Sequence, residues 1–358
     1  MQSSLIGKRT NICSLWALFA DDVRQSFELD IFMNSSIKTY TVFRFVLITC
    51  CIFRLWDMWQ FYSSPRRRKF MKPAITRRLF PVIDPTINRC RLLPPFIRFR
   101  EVYLISQRYN LATCQIEKIM STFRYGMFCY LNRHARFEAS GRNISTEHWM
   151  NTFCFDNRFK KEVYEDVIHT FTKNPVIFAV IRDPLERFVS SYVDKCIREG
   201  GYPRGCYDCE RDLLCFMQNL KKFLLAYIDD PLIGIEHIYI RRHFAPFSWY
   251  CNFGETLNTT HIVRLNLQQR GDVARHINEI LMKAGVQYRQ RNYIQEELLK
   301  RLPNHSTNGA EERSEVERSV LSDPIIFQHF IDIYYYDYVI FGYKLPQISR
   351  IKPEKERH

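Results

Sequence analysis

The run Pro175 to Ile181 (PVIFAVI) is short, unbroken in its apolar character and rich in valine and isoleucine. It predicts a strand buried on both faces. The period then changes. Leu185, Phe188, Val189, Tyr192, Val193, Cys196 and Ile197 recur at helical spacing as one apolar stripe, and Glu186, Arg187, Ser190, Ser191 and Asp194 lie opposite. Asp183 suits a helix N-cap and Pro184 the first helical position. Strand, tight turn and helix follow, with Arg182 at the junction. A second such unit lies upstream. Tyr109–Ile116 reads as a strand, Phe123–Leu131 as an apolar helix, and the junction EKIMST between them holds Lys118, Ser121 and Thr122.

A helix start that follows a buried strand offers N–H groups and a positive dipole end to an anion. At the later junction Arg182 and Arg187 add charge, and Ser190 shares the polar face with Arg187 at i+3. The plainer alternative there is a helix start with surface arginines. At the earlier junction a lysine and two hydroxyls can hold a phosphate or sulfate. Neither junction is a Walker loop, because GxxxxGK[ST] is absent, and no GxGxxG supports a dinucleotide site. Two anion sites in one chain suggest a nucleotide carrying phosphates at both ends.

The formal net charge of +14 over 358 residues points to acidic partners. No recognition motif supports nucleic acid among them. Much of the basic excess lies in SPRRRKF and the arginines from Arg77 to Arg100, read as a stem. The predicted layout is an N-terminal region over 1–60, a basic stem over 61–104, a catalytic-type domain over 105–345 and a polar tail over 346–358. Within the first, the uncharged run Phe45–Phe53 is short of the roughly 20 residues of a spanning helix. It suits a signal peptide or weak anchor, with a buried element as the other possibility. Nine of the twelve cysteines follow residue 89. Cys206 and Cys209 form a CxxC with no matching partner, so disulfides are expected instead of zinc, with at least one thiol left over. Sequons at Asn143, Asn258 and Asn304 favour a secretory route.

The stretch IRDPLERFVSSYVDKC closely resembles the 3′-phosphate motif of Golgi carbohydrate sulfotransferases of the chondroitin and dermatan type, and CQIEKIMST resembles their 5′-phosphosulfate loop. HFAPFSWYCNF (His243–Phe253) and IYYYDYVIFGY (Ile333–Tyr343) are similar to two further segments of that family, in the same order. The likeness covers roughly residues 105–345 and is closest to divergent nematode members. It implies an α/β fold, a central parallel sheet with flanking helices, of the P-loop-kinase-like kind. It implies 3′-phosphoadenosine 5′-phosphosulfate as sulfuryl donor, no metal, an acidic glycan acceptor and a Golgi membrane location with a lumenal domain. Carried over by position, Lys118, Ser121 and Thr122 would hold the 5′-phosphosulfate, and Arg182 and Ser190, flanked by Asp183 and Arg187, the 3′-phosphate. Lys118 would also stabilise charge on the leaving oxygen.

The first loop departs from the family's Pro-Lys-x-Gly pattern: Glu117 stands for the proline and Met120 for the glycine. Met120 is compatible with a ligand only if its side chain turns to the core and its φ stays negative. A loop that has lost its donor would leave a binding module for acidic glycans, the alternative to an enzyme. A kinase-like enzyme on the same sheet is disfavoured by the missing Walker glycines. For the general base, His134, His148 and His243 are candidates, with Glu117 a further option. His243 stands out because Arg241 and Arg242 precede it and would keep it neutral and attract an acidic acceptor; the competing reading is a structural histidine, hydrogen-bonded beside the Pro246 turn. Phe244, Phe247 and Trp249 are either a sugar-stacking surface or core.

Overall fold

A computed structural model describes residues 86–147, 152–154, 158–199, 205–300 and 311–348, all within the second of two compact units, Arg66–His358. The apolar run Phe45–Phe53, His148 and Asn304 lie outside the described residues.

Five strands, β1 (Tyr103–Ser106), β2 (Leu111–Cys114), β3 (Lys160–Lys161), β4 (Val176–Arg182) and β5 (His261–Leu265), form one sheet in the order β3-β1-β2-β4-β5. β2, β4 and β5 run parallel, while β1 pairs antiparallel with β2 and β3. The sheet is thus mixed, parallel at its centre and flanked by helices, as expected of an α/β fold. The antiparallel side arises because β1 and β2 are joined by one tight turn, closed by Asn110 at φ 48°. Such a connection reverses the chain, whereas a parallel neighbour needs a crossover. Parallel pairing of β2 with β4 puts Cys114 opposite Ala179, so both predicted junctions open at the same edge of the sheet.

Both predicted helices form. α1 (Ser121–Asn132) buries every residue from Phe123 to Leu131. α2 (Pro184–Tyr192) has Asp183 as its N-cap, and its helix continues as a π-helical turn, Val193–Arg198. The later helices of more than one turn are α3 (Leu213–Asp229), α4 (Ile238–Phe244), α5 (Arg270–Lys283), α6 (Tyr288–Leu299), α7 (Glu311–Ser322) and α8 (Pro324–Phe341). The expected polar face of α2 is not solvated. Arg187, Ser190 and Ser191 are as buried as the apolar stripe, because α4 and α7 cover the helix on that side.

The folded region reaches further upstream than residue 105. Leu92, Leu93, Phe96, Ile97 and Phe99, from the segment read as basic stem, are buried in the core. Phe99 meets Tyr227, Trp249 and Tyr250 edge-on, and Arg98 is paired with Glu101 and Glu165. Arginines interleaved with apolar residues masked this packing in the sequence. Phe244, Phe247 and Trp249 are also core, which removes the sugar-stacking reading.

Among the described residues four disulfides join Cys114 to Cys251, Cys129 to Cys154, Cys196 to Cys206 and Cys209 to Cys215, leaving Cys90 as an exposed thiol. The tyrosine-rich helix α8 ties the site segments together. Tyr334 donates to the Phe244 carbonyl at 2.6 Å, Tyr338 accepts from the Leu185 N–H at 3.2 Å, and Asp337 accepts from the N–H groups of Phe247 (2.7 Å) and Ser248 (2.9 Å). A buried carboxylate with two backbone donors cannot be removed without orphaning both. Asp337→Ala is expected to cost about 3 kcal/mol of stability in denaturant unfolding without reductant, and Asp337→Asn, which keeps one acceptor, about half of that.

Candidate functional site

The earlier loop enters α1 through two left-handed residues, Lys118 at φ 64° and Met120 at φ 54°. The expected negative φ at Met120 is therefore wrong, although its side chain does pack against the core. Met120 is also the helix N-cap and offers no side-chain acceptor, so the first turn of α1, with the half-buried Ser121 and Thr122, is uncapped by protein. Glu117 points away from this turn: its carboxylate lies 2.7 Å from Arg100 Nε. That pairing offsets the negative charge of Glu117 beside the loop and weakens it as a base.

The later junction differs. Asp183 accepts from the N–H groups of Leu185 (2.9 Å) and Glu186 (3.1 Å), so the start of α2 is already capped by a carboxylate. The free N–H groups expected there are taken. What this junction presents is Arg182, buried at the strand end with its Nε donating to the half-exposed Glu186 at 3.0 Å. Arg313, from α7, stands within electrostatic range of Arg182; burial lowers its pKa and Arg182 lowers it further. The sequence reading missed Arg313, because it lies some 130 residues on with no motif around it. Ser190 is buried on α2.

Arg187 is not a surface cation either. It is 1 % exposed, and donates to the carbonyls of Glu117 (Nε, 3.1 Å) and Ala245 (Nη1, 2.7 Å) while its guanidinium lies 5.6 Å from the Tyr250 ring centroid. The polar residue expected to meet a phosphate instead joins the loop, the α2 helix and the segment after α4.

That segment brings His243 to the site. His243 is 7 % exposed, and its Nδ1 lies 2.7 Å from the Tyr239 carbonyl. Nδ1 must donate in that contact, which leaves Nε2 as the acceptor nitrogen. Burial first, then the cations Arg242, Lys195 and Lys118, hold the imidazole well below its ordinary pKa, against the Tyr239 carbonyl. A histidine thus stands neutral within electrostatic reach of Lys118. His134, by contrast, sits edge-on to Tyr130 and beside Glu138. Of the two arginines before His243, Arg241 is fully buried and donates to the Ile233 and Gly234 carbonyls. Arg242 lies over the Tyr239 ring at 4.9 Å, with no carboxylate partner among the described residues. Only Arg242 is placed to meet an anion.

Lys118 Nζ lies 3.1 Å from Asp194, which also pairs with Lys195 at 2.9 Å. The pair is asymmetric. Burial first, helped by Lys195 and Arg182, lowers the Lys118 pKa against the pull of Asp194, while for Asp194 burial is outweighed by the two lysines and its pKa falls.

A profile of the Sulfotransferase family matches residues 101–344. The chain belongs to that family. It is 28% identical over 326 residues to the carbohydrate sulfotransferase chst-1 of Caenorhabditis elegans, covering 84% of this chain and 97% of the relative. It is 26% identical over 266 residues to an uncharacterized protein of the same organism, C18B2.2, covering 73% and 74%. No solved structure matches. The family implies a sulfuryl donor, and the uncapped turn with Lys118, Ser121 and Thr122 fits the sulfuryl end of one: backbone donors, two hydroxyls and a cation together. Among the described residues no group of metal-ligating side chains occurs.

Because the His243 pKa lies well below 6.5, a base at Nε2 is already deprotonated at pH 6.5. Activity is expected to fall on the acid side only as pH drops toward the lowered His243 value, to be level above it, and to fall again where Lys118, whose pKa is also lowered, loses its proton; an acid-limb half-maximum at 6.5 or above would exclude His243. Met120→Gly relieves a left-handed side chain, a strain of about 1–2 kcal/mol, but loses packing. Thermal unfolding is expected to show stability unchanged or up to about 1 kcal/mol higher, with donor affinity not reduced.

Proposed function

We propose that the chain is a carbohydrate O-sulfotransferase that transfers a sulfuryl group from 3′-phosphoadenosine 5′-phosphosulfate to a hydroxyl of an acidic glycan, of the chondroitin-like glycosaminoglycan kind. The observation that carries this reading is the placement of a neutral His243 in electrostatic range of Lys118, at the uncapped start of α1. The donor, when bound, supplies a sulfuryl group activated by a phosphate leaving group. Ser121, Thr122 and the first N–H groups of α1 bind the charged oxygens at this end. Lys118 offers its ammonium to the oxygen on which charge develops, and Asp194 holds that ammonium until then. His243 Nε2 accepts the proton of the acceptor hydroxyl. Arg182, with Arg313 beside it, receives the 3′-phosphate at the second junction, and Arg242 faces an anionic group of the acceptor. The relative named as a carbohydrate sulfotransferase supports the acceptor class.

A Golgi membrane location, with the domain in the lumen, belongs to the same proposal. The four disulfides and the exposed side chains of Asn143 and Asn258 support it. Among the described residues no helix is long and apolar enough to cross a membrane, so the anchor would be the upstream run Phe45–Phe53. A glycosidase-sensitive mass shift is the expected mark of that route, and an unglycosylated product would count against it.

The second reading, a binding module for acidic glycans that has lost its donor, is favoured by one feature, the methionine at a left-handed loop position. Incubation with labelled donor and a panel of desulfated glycans separates the two: transfer of label supports the enzyme, and glycan binding without transfer supports the module. Arg182→Ala is expected to abolish binding of adenosine 3′,5′-bisphosphate in calorimetry while the fold persists, since Glu186 is freed into solvent. Lys118→Ala is expected to lower kcat about 10²–10³-fold. A change confined to the donor KM would remove the leaving-group role.

A further inference from the structure

Arg124, on α1, is completely buried, and among the described residues no carboxylate pairs with it. Its guanidinium is enclosed by oxygens of one short stretch. Nη1 donates to Thr113 Oγ1 at 3.1 Å and to the Cys114 carbonyl; Nη2 donates to the carbonyls of Ile119 at 3.1 Å and Ile116 at 3.5 Å. Burial pulls its pKa down to about 9, opposed by Glu117, so it is still charged at neutral pH. Burying an unpaired cation is costly and persists only where something requires it. The stretch it holds is the entry loop, which carries two non-glycine residues in the left-handed region within three positions, Lys118 and Met120. Such residues persist when their surroundings over-determine them. Arg124 does this from the core side. It also draws three carbonyl dipoles onto itself, away from any anion at the mouth of the loop.

We propose that Arg124 is a positioning residue that holds the Ile116–Met120 loop in its anion-binding shape, replacing with a buried guanidinium the backbone freedom that glycine would provide. The inference rests on the loop being the donor site, and the test separates the two. In the full chain, Arg124→Met keeps bulk and removes the donors, and Arg124→Lys keeps charge and part of the hydrogen bonding. Calorimetry with adenosine 3′,5′-bisphosphate is expected to show at least tenfold weaker binding for Arg124→Met and partial recovery in Arg124→Lys. Adding Met120→Gly to Arg124→Met is expected to restore affinity beyond additivity, because the strain being held is gone. A folded Arg124→Met that binds like the parent, or an additive double variant, overturns the proposal. If Arg124→Met does not fold, hydrogen exchange in Arg124→Lys decides: faster exchange confined to residues 116–122 supports the role, and unchanged exchange there overturns it. If the parent chain binds no bisphosphate, the functional reading fails, and the same exchange comparison still decides on Arg124.

Discussion

The guanidinium of Arg187 joins the segments on which the site depends. From the buried face of α2 it reaches the Glu117 carbonyl, in the loop after β2, and the Ala245 carbonyl, after α4, and it stacks near Tyr250. Tyr250 in turn donates to the Arg242 carbonyl. A buried carbonyl without a partner is costly, so each of these contacts fixes the position of a whole segment and not only of one side chain. Lys118 follows Glu117 in the chain, and His243 precedes Ala245 by two residues. The spacing between the two proposed reacting groups is therefore inherited from one arginine fork.

The two strand-to-helix junctions look alike in the sequence and differ in their electrostatics. At α2 the Asp183 carboxylate already satisfies the helix start. At α1 no side chain does. An anion arriving at the first must be met by Arg182 and its neighbours, whereas at the second it can also use the backbone. The difference is a matter of one capping residue, and for the proposed donor it favours the sulfuryl end at α1 and the 3′-phosphate at Arg182.

The junctions themselves were legible because their signals are local. The Val/Ile run, Asp183, Pro184 and the change of period specify β4 and α2 within a few residues, and the cysteine excess announced the disulfides. What escaped was decided by distant chain. Arg187 and Ser190 read as a solvated face because a helical period cannot show that α4 and α7 cover a second side. Leu92 to Phe99 read as stem because arginines interrupt them. The left-handed turn at Met120 contradicted expectation because its cause, Arg124, lies inside an otherwise apolar helix pattern. Arg313 had no local signal at all. The role of Asp337 could be recognised as part of a signature but not understood until its two N–H partners were in place.

The bond between Cys114 and Cys251 closes a loop of 137 residues. One end is the last residue of β2, just before the Lys118 loop, and the other follows the Phe247–Trp249 turn that trails His243. Two banks that come from remote parts of the chain are thus in permanent register. Most of the ordering entropy of bringing them together is charged to folding and oxidation, once in the life of the molecule. In the proposed reaction an incoming substrate would meet both banks already in place, and its own binding energy would remain free for alignment at the reacting atoms.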